Sequence, residues 1–200
     1  MNKFKVWRRL EIGTGKPDLK DINISDWAKD LLKKVKYSKT KKTLDLVKIT
    51  PKEMGLTEDY PTTKQIYDKV KELGLELCPA EVGPILRDQY RDQALYEWLY
   101  IGMEPITDAR GYPYVFRLYC DDGGWSLYSY IASVGRPWFS DNRTVFLVSK
   151  SLKFRPFDPS AKQKKPNKKH ILDVTKKVVI TKTFTLNGTF TEEELKELIK

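Results

Sequence analysis

The side chains that most often do chemistry are scarce in this chain. There is one histidine, His170, at the edge of a lysine-rich stretch. That excludes zinc sites built on two or three histidines and counts against Ser-His or Cys-His nucleophile activation, since a lone His among lysines reads as a solvated side chain. The two cysteines, Cys78 and Cys120, lack the C-x-x-C spacing of a metal or redox motif and read as buried thiols of a reducing compartment. Gly13-Thr14-Gly15-Lys16 lacks the spacing of a phosphate loop, and Pro17 follows it where that loop needs a helix. Carboxylates remain. Glu97, Glu104, Asp108, Asp121, Asp122 and Asp141 fall in an aromatic-rich half, and paired acids beside aromatic rings are what a glycan-cleaving site uses. Asp108, Asp121 and Asp122 also sit at turn positions, where an Asp satisfies local amides. The repeat Arg87-Asp88-Gln89-Tyr90, Arg91-Asp92-Gln93 stacks two arginines on one helix face, read here as solvated.

Charge distribution is the stronger signal. The chain carries +10 overall, and residues 150–182 hold eleven Lys/Arg against Asp158 and Asp173. The preceding 149 residues are nearly balanced, with twenty-four basic and twenty-one acidic side chains. A flexible, proline-spaced cationic segment binds polyanions by counterion release, with little sequence reading. Lys153, Arg155, Lys162, Lys164, Lys165, Lys168 and Lys169 are therefore the candidate nucleic-acid contacts, with Lys33, Lys34, Lys41 and Lys42 as a second cluster. No metal ligand set and no cofactor motif is found, so no cofactor is expected.

The elements that must position these groups follow from periodicity. Phe4, Val6, Arg8, Leu10 and Ile12 alternate with charged residues and Trp7, as a half-buried strand does. Ser25 caps a helix from Asp26 to about Lys36, and Leu44–Thr50 reads as a strand. Pro61-Thr62-Thr63 opens a helix that Gly74 ends, and Pro79 or Pro84 starts another that runs to about Asp92. Thirteen of the twenty-four aromatics lie between Tyr96 and Phe146, on strands expected near 95–103, 114–120, 125–131 and 143–149. Asp121-Asp122-Gly123-Gly124 turns the hairpin between the second and third. Trp98, Tyr114, Phe116, Trp125, Tyr128 and Phe146 are expected in the core. Tyr100, Tyr119, Tyr130 and Trp138 exceed what one buried face needs, and a second, partner-facing surface would use them, as base stacking does. The expected fold class is α+β, with helices of the first half packed on an antiparallel meander. Residues 1–149 form this body, 150–169 a basic Pro/Lys-rich linker, and 170–200 a small strand-plus-helix element.

The string from Glu72 to Pro84, running into Leu86-Arg87 and Gln89-Tyr90, resembles a family of uncharacterised bacterial proteins. Glu97-Trp98-Leu99, Met103 to Asp108, Asp141-Asn142-Arg143 with Val145-Phe146, Phe4 to Trp7 and Gly13-Thr14-Gly15 fit it too. The similarity spans residues 4–148. It implies a compact bacterial domain with no assigned activity, to which residues 150–200 are an addition.

No run of about 18 apolar residues exists and the N-terminus lacks a signal-peptide core, so a cytoplasmic protein with no membrane contact is expected. The function read from the sequence is a non-enzymatic bacterial or phage-related binding protein that contacts nucleic acid backbone, or another polyanion, through its basic C-terminal segment. One alternative is a glycan-binding or glycan-cleaving module using the carboxylates and aromatics of residues 96–146. Another is a protein-interaction or inhibitor module with a protein partner.

Overall fold

The structure is a computed structural model and describes residues 4–149. The linker at 150–169 and the element at 170–200 lie outside the described residues. Twelve elements follow in chain order: β1 (Arg8–Ile12), β2 (Asn23–Ile24), α1 (Asp26–Lys34), β3 (Lys42–Ile49), α2 (Thr63–Glu72), β4 (Leu75–Glu76), α3 (Val82–Gln89), β5 (Trp98–Ile101), β6 (Ile106–Thr107), β7 (Pro113–Asp121), β8 (Gly124–Ile131) and β9 (Arg143–Val148). Local chemistry explains most of their boundaries. Ser25 Oγ accepts from the Ala28 amide at the start of α1, and Lys33 and Lys34 sit in its last turn against the negative end of the helix dipole. Thr62 and Gln65 form a reciprocal capping box on α2, which Gly74 ends at φ +71°.

The expectation of helices packed on an antiparallel meander is overturned. The described residues form one nine-stranded mixed sheet with three short helices, in the order β1-β3-β9-β5-β7-β8-β2, with β4 added on β9 and β6 on β7. The meander exists, but only as β5-β7-β8. The last strand, β9, does not extend it from β8. It returns to lie parallel to β5 and antiparallel to β3 and β4, so the strands of the first half join the same sheet. Thr144, Val145 and Phe146 are buried in succession, the pattern of a strand covered on both faces. Alternation along the chain identifies a strand but not its neighbours, and long-range pairing decided the class.

The sheet curls around α3. This helix touches β7, β8 and β1, although β1 and β8 stand five places apart in the strand order. Val82 to Arg87 are all buried, so α3 is a core helix rather than a surface one. Its close approach to β7 depends on Gly83, where a Cβ would stand 2.6 Å from Phe116 Cδ2. α1 covers β8 on its own side. Elsewhere Trp138, fully buried, donates from Nε1 to Thr63 Oγ1 at 2.7 Å and packs with Tyr67 of α2 against the Tyr100 ring.

Two outcomes test this account. Gly83→Ala adds roughly 1 kcal/mol of helix propensity, yet the forced contact with Phe116 outweighs it. Chemical denaturation will show a net loss of about 1–2 kcal/mol. Acid acts through surface carboxylates. The Arg91 guanidinium holds the Asp21 carboxyl below its ordinary value, and Arg8 does the same for Asp92. Their folded values are depressed, so their contribution is present above the unfolded value and is lost as pH falls through and below about 4. Thermal melts across that range will fall less steeply in Asp21→Asn and Asp92→Asn than in the parent.

Candidate nucleic-acid interface

Register on β5, β7 and β8 builds a surface the composition only hinted at. Trp98 stands opposite Tyr119, Tyr100 opposite Arg117, Arg117 opposite Tyr128, and Val115 opposite Tyr130. Side chains alternate between faces with period two, so Trp98, Tyr100, Arg117, Tyr119, Tyr128 and Tyr130 share one face. The other face of β7, with Phe116, Leu118 and Cys120, is buried. Tyr100 is covered by Trp138, whereas Trp98, Arg117, Tyr119, Tyr128 and Tyr130 are half-buried and reach solvent. Trp98 and Tyr128, expected in the core, therefore belong to the open face. Trp138, expected on a partner-facing surface, is core.

The face is ordered by ring contacts. Trp98 and Tyr119 stack at 3.8 Å between centroids and 15° between planes. The Arg117 guanidinium lies 3.8 Å from the same Trp98 centroid. Two groups cannot share one ring face at that distance, so Trp98 is sandwiched between them. Arg117 also donates from Nη1 to the Tyr100 hydroxyl at 3.3 Å, while its buried Nε has no partner. Tyr128 meets Trp98 and Tyr119 only at a tilt, at 5.9 and 6.4 Å. Tyr130 donates to the Pro137 carbonyl at 2.7 Å, with Arg136 5.4 Å from its ring. Desolvation, with Asp121 close by, pushes the Tyr119 phenol above its ordinary value.

Among the described residues, Arg87, Arg117 and Arg136 are the arginines that make no ion pair. Arg87 is fully buried, which corrects its reading as part of a solvated ladder. It donates to the carbonyls of Tyr90 and Tyr119 and to Gln93 Oε1, and burial pulls its guanidinium down to about 10, still cationic at neutral pH. Arg91 is taken up by Asp21 and Asp88 and lies 4.8 Å from the Trp125 ring. The two arginines left without a carboxylate and within reach of solvent both lie on or beside the aromatic face.

The lysines singled out from sequence fare differently. Lys153, Arg155, Lys162, Lys164, Lys165, Lys168 and Lys169 lie outside the described residues. Lys33 pairs with Asp30 at 2.8 Å and Lys41 with Glu11 at 2.9 Å, while Lys34 donates to the Thr107 carbonyl at 2.5 Å. Lys42 opens β3, exposed and opposite Ile12. The structure does not gather these four into one patch, since they sit on two different elements and three have local partners. Four of the six candidate carboxylates are similarly occupied. Asp108 accepts from the Arg110 and Tyr112 amides, Asp121 from the Gly123 amide, and Asp122 from the Tyr96 hydroxyl. Glu97 faces away from the aromatic surface. It accepts from Lys48 at 2.9 Å and from the Tyr90 hydroxyl at 2.8 Å, in a half-buried cluster capped by Trp7. No group of three metal-ligating side chains converges among the described residues, and none of their helices is long and apolar enough to cross a membrane.

Comparison with family models, curated proteins and solved structures found no match to this chain.

Arg87 supports the face from beneath through the Tyr119 carbonyl. Arg87→Ala leaves three acceptors unsatisfied in the core and will cost roughly 3 kcal/mol in denaturant melts. Arg87→Lys will recover only part of this, because an ammonium cannot span the forked set of acceptors.

Proposed function

We propose that the chain is a non-enzymatic binding protein of bacterial or phage-related type that engages nucleic acid. The basic side chains of residues 150–182 neutralise phosphates, and the open face of β5-β7-β8 adds a second contact. One observation carries this reading: Arg117 and Arg136, without carboxylate partners, lie on or beside an aromatic face, and the acid at its hairpin end, Asp121, is bonded to the Gly123 amide. An uncompensated guanidinium attracts an anion, and flat rings suit a ligand with flat rings. Glycan cleavage needs two free carboxylates across a scissile bond. Here four of the six candidates, Asp108, Asp121, Asp122 and Glu97, are engaged in other bonds, so the nucleic-acid reading is preferred. Cytoplasmic placement belongs to the same proposal, since Cys78 and Cys120 are free and buried, as a reducing compartment keeps thiols.

The full-length chain will bind fluorescein-labelled DNA and RNA in anisotropy titrations, with affinity falling steeply between ~50 and ~200 mM salt. Replacing Lys164, Lys165, Lys168 and Lys169 together by Gln will flatten the dependence of log affinity on log salt. An unchanged slope, or no binding at the lower salt, refutes the proposal.

A further inference from the structure

We infer that the open face of β5-β7-β8 takes single-stranded nucleic acid, with unpaired bases stacking on Tyr119 and Tyr128 and with Arg117 and Arg136 meeting the phosphates. This deepens the nucleic-acid reading above and rests on it.

The argument begins with which ring faces are free. Trp98 has both faces filled, by Arg117 and Tyr119, so it serves as a floor that holds its neighbours in place. Tyr119 is stacked on one side only, by Trp98, and its remaining ring contact is the tilted one with Tyr128 at 6.4 Å. Tyr128 makes no stacked contact at all, and its ring meets Trp98 and Tyr119 at 49° and 53°. Both tyrosines are half-buried, so their positions are fixed while ring surface stays open. Preorganised rings lose little conformational entropy when a ligand arrives.

Charge then narrows the ligand. Arg117 stands directly opposite Tyr128 in the strand register, and it has a buried Nε without a partner. A guanidinium fixed by stacking presents its remaining N–H groups to an oxyanion without paying to immobilise a long side chain. Arg136, exposed beside Tyr130, supplies a second cation at the margin of the same face. A neutral sugar has no use for two unpaired cations. An acidic peptide would use the cations but would leave the rings without planar partners.

Strandedness follows from access. In a duplex the base faces are stacked on one another, and proteins reach only base edges, by inserting a helix or a ribbon into a groove. Rings lying on a sheet surface cannot do that. An unpaired strand offers its base faces directly, and such stacking tolerates any sequence because every base has a π face. DNA and RNA single strands share this chemistry.

The test is anisotropy of labelled oligo-dT, oligo-U and a DNA duplex of matched length with the full-length chain and its variants. Tyr128→Ala will weaken both single strands by about 5- to 100-fold and leave duplex binding within about twofold. Tyr128→Phe will bind as the parent does, because the ring and not the hydroxyl does the stacking. The salt slope will hardly change in either variant, since no phosphate contact is lost. Tyr119→Ala also disturbs Trp98, so ultraviolet cross-linking of oligo-U to the unmodified protein provides the independent reading. Cross-linked peptides will fall within residues 113–131.

Equal weakening of duplex and single strands by Tyr128→Ala, no weakening, or cross-links confined to residues 150–200 each overturn the inference. Salt-dependent binding that ignores Tyr128→Ala overturns this inference alone and leaves the proposed function standing. Absence of binding to every oligonucleotide overturns both.

Discussion

Charges buried at the two ends of a core helix must find their hydrogen bonds within the protein, and α3 imposes that demand on the rest of this fold. The two charges are Glu81 and Arg87. Glu81, 2% exposed at the helix start, accepts from the Ser38 amide and hydroxyl at 2.8 and 2.5 Å, and so ties the loop between α1 and β3 to the core. Arg87, fully buried in the last turn, gathers the Tyr90 carbonyl, Gln93 and the Tyr119 carbonyl, and so ties the helix exit to β7. Burying two charges is costly unless each is richly hydrogen-bonded. Ser38 and Tyr119 come from segments far apart in sequence, so the bonds that offset the cost also tie distant parts of the chain to the helix.

That wrapping divides the sheet into a covered face and an open one. α3 and α1 occupy the inner side of β7 and β8, where Phe116, Leu118 and Leu127 are fully buried. On the outer side of the same strands, among the described residues, Trp138 packs over Tyr100 and against Tyr130, with Tyr67 of α2 behind it. A bare sheet face of this size would ordinarily carry small polar side chains. Here it carries large rings in a mutual stack with an arginine, which shields each apolar surface in part while leaving the outermost tyrosines accessible. The aromatic ladder thus stabilises the sheet and supplies a ligand surface with the same side chains.

Much of the local structure was legible in the residues. The Ser25 cap, the Thr62–Gln65 capping box, Gly74 as a helix stop and the Asp121–Gly124 hairpin are short-range chemistry, and each stands where its residues placed it. Excess aromatics between Tyr96 and Phe146 pointed to a second surface, although Trp98 and Tyr128 were assigned to the core and Trp138 to the surface. The register, not the alternation of each strand, settled which rings share a face. Arg87 was missed because an arginine in an R-D-Q-Y repeat reads as solvated by default. Only its position in the tightly apolar run Val82–Leu86 signals burial.

The sequence by itself determined the charge asymmetry, the helix caps and turns, and the existence of most strands, because these depend on residue type and on neighbours a few positions away. The tertiary structure decided the fold class, the burial of Arg87 and the composition of the open face. Each of those turns on a pairing between distant segments: β9 with β3 and β5, α3 with β1 and β7, Trp98 with Tyr119. Such pairings are chosen by the total burial and hydrogen bonding of the finished sheet, a quantity no local stretch of chain contains.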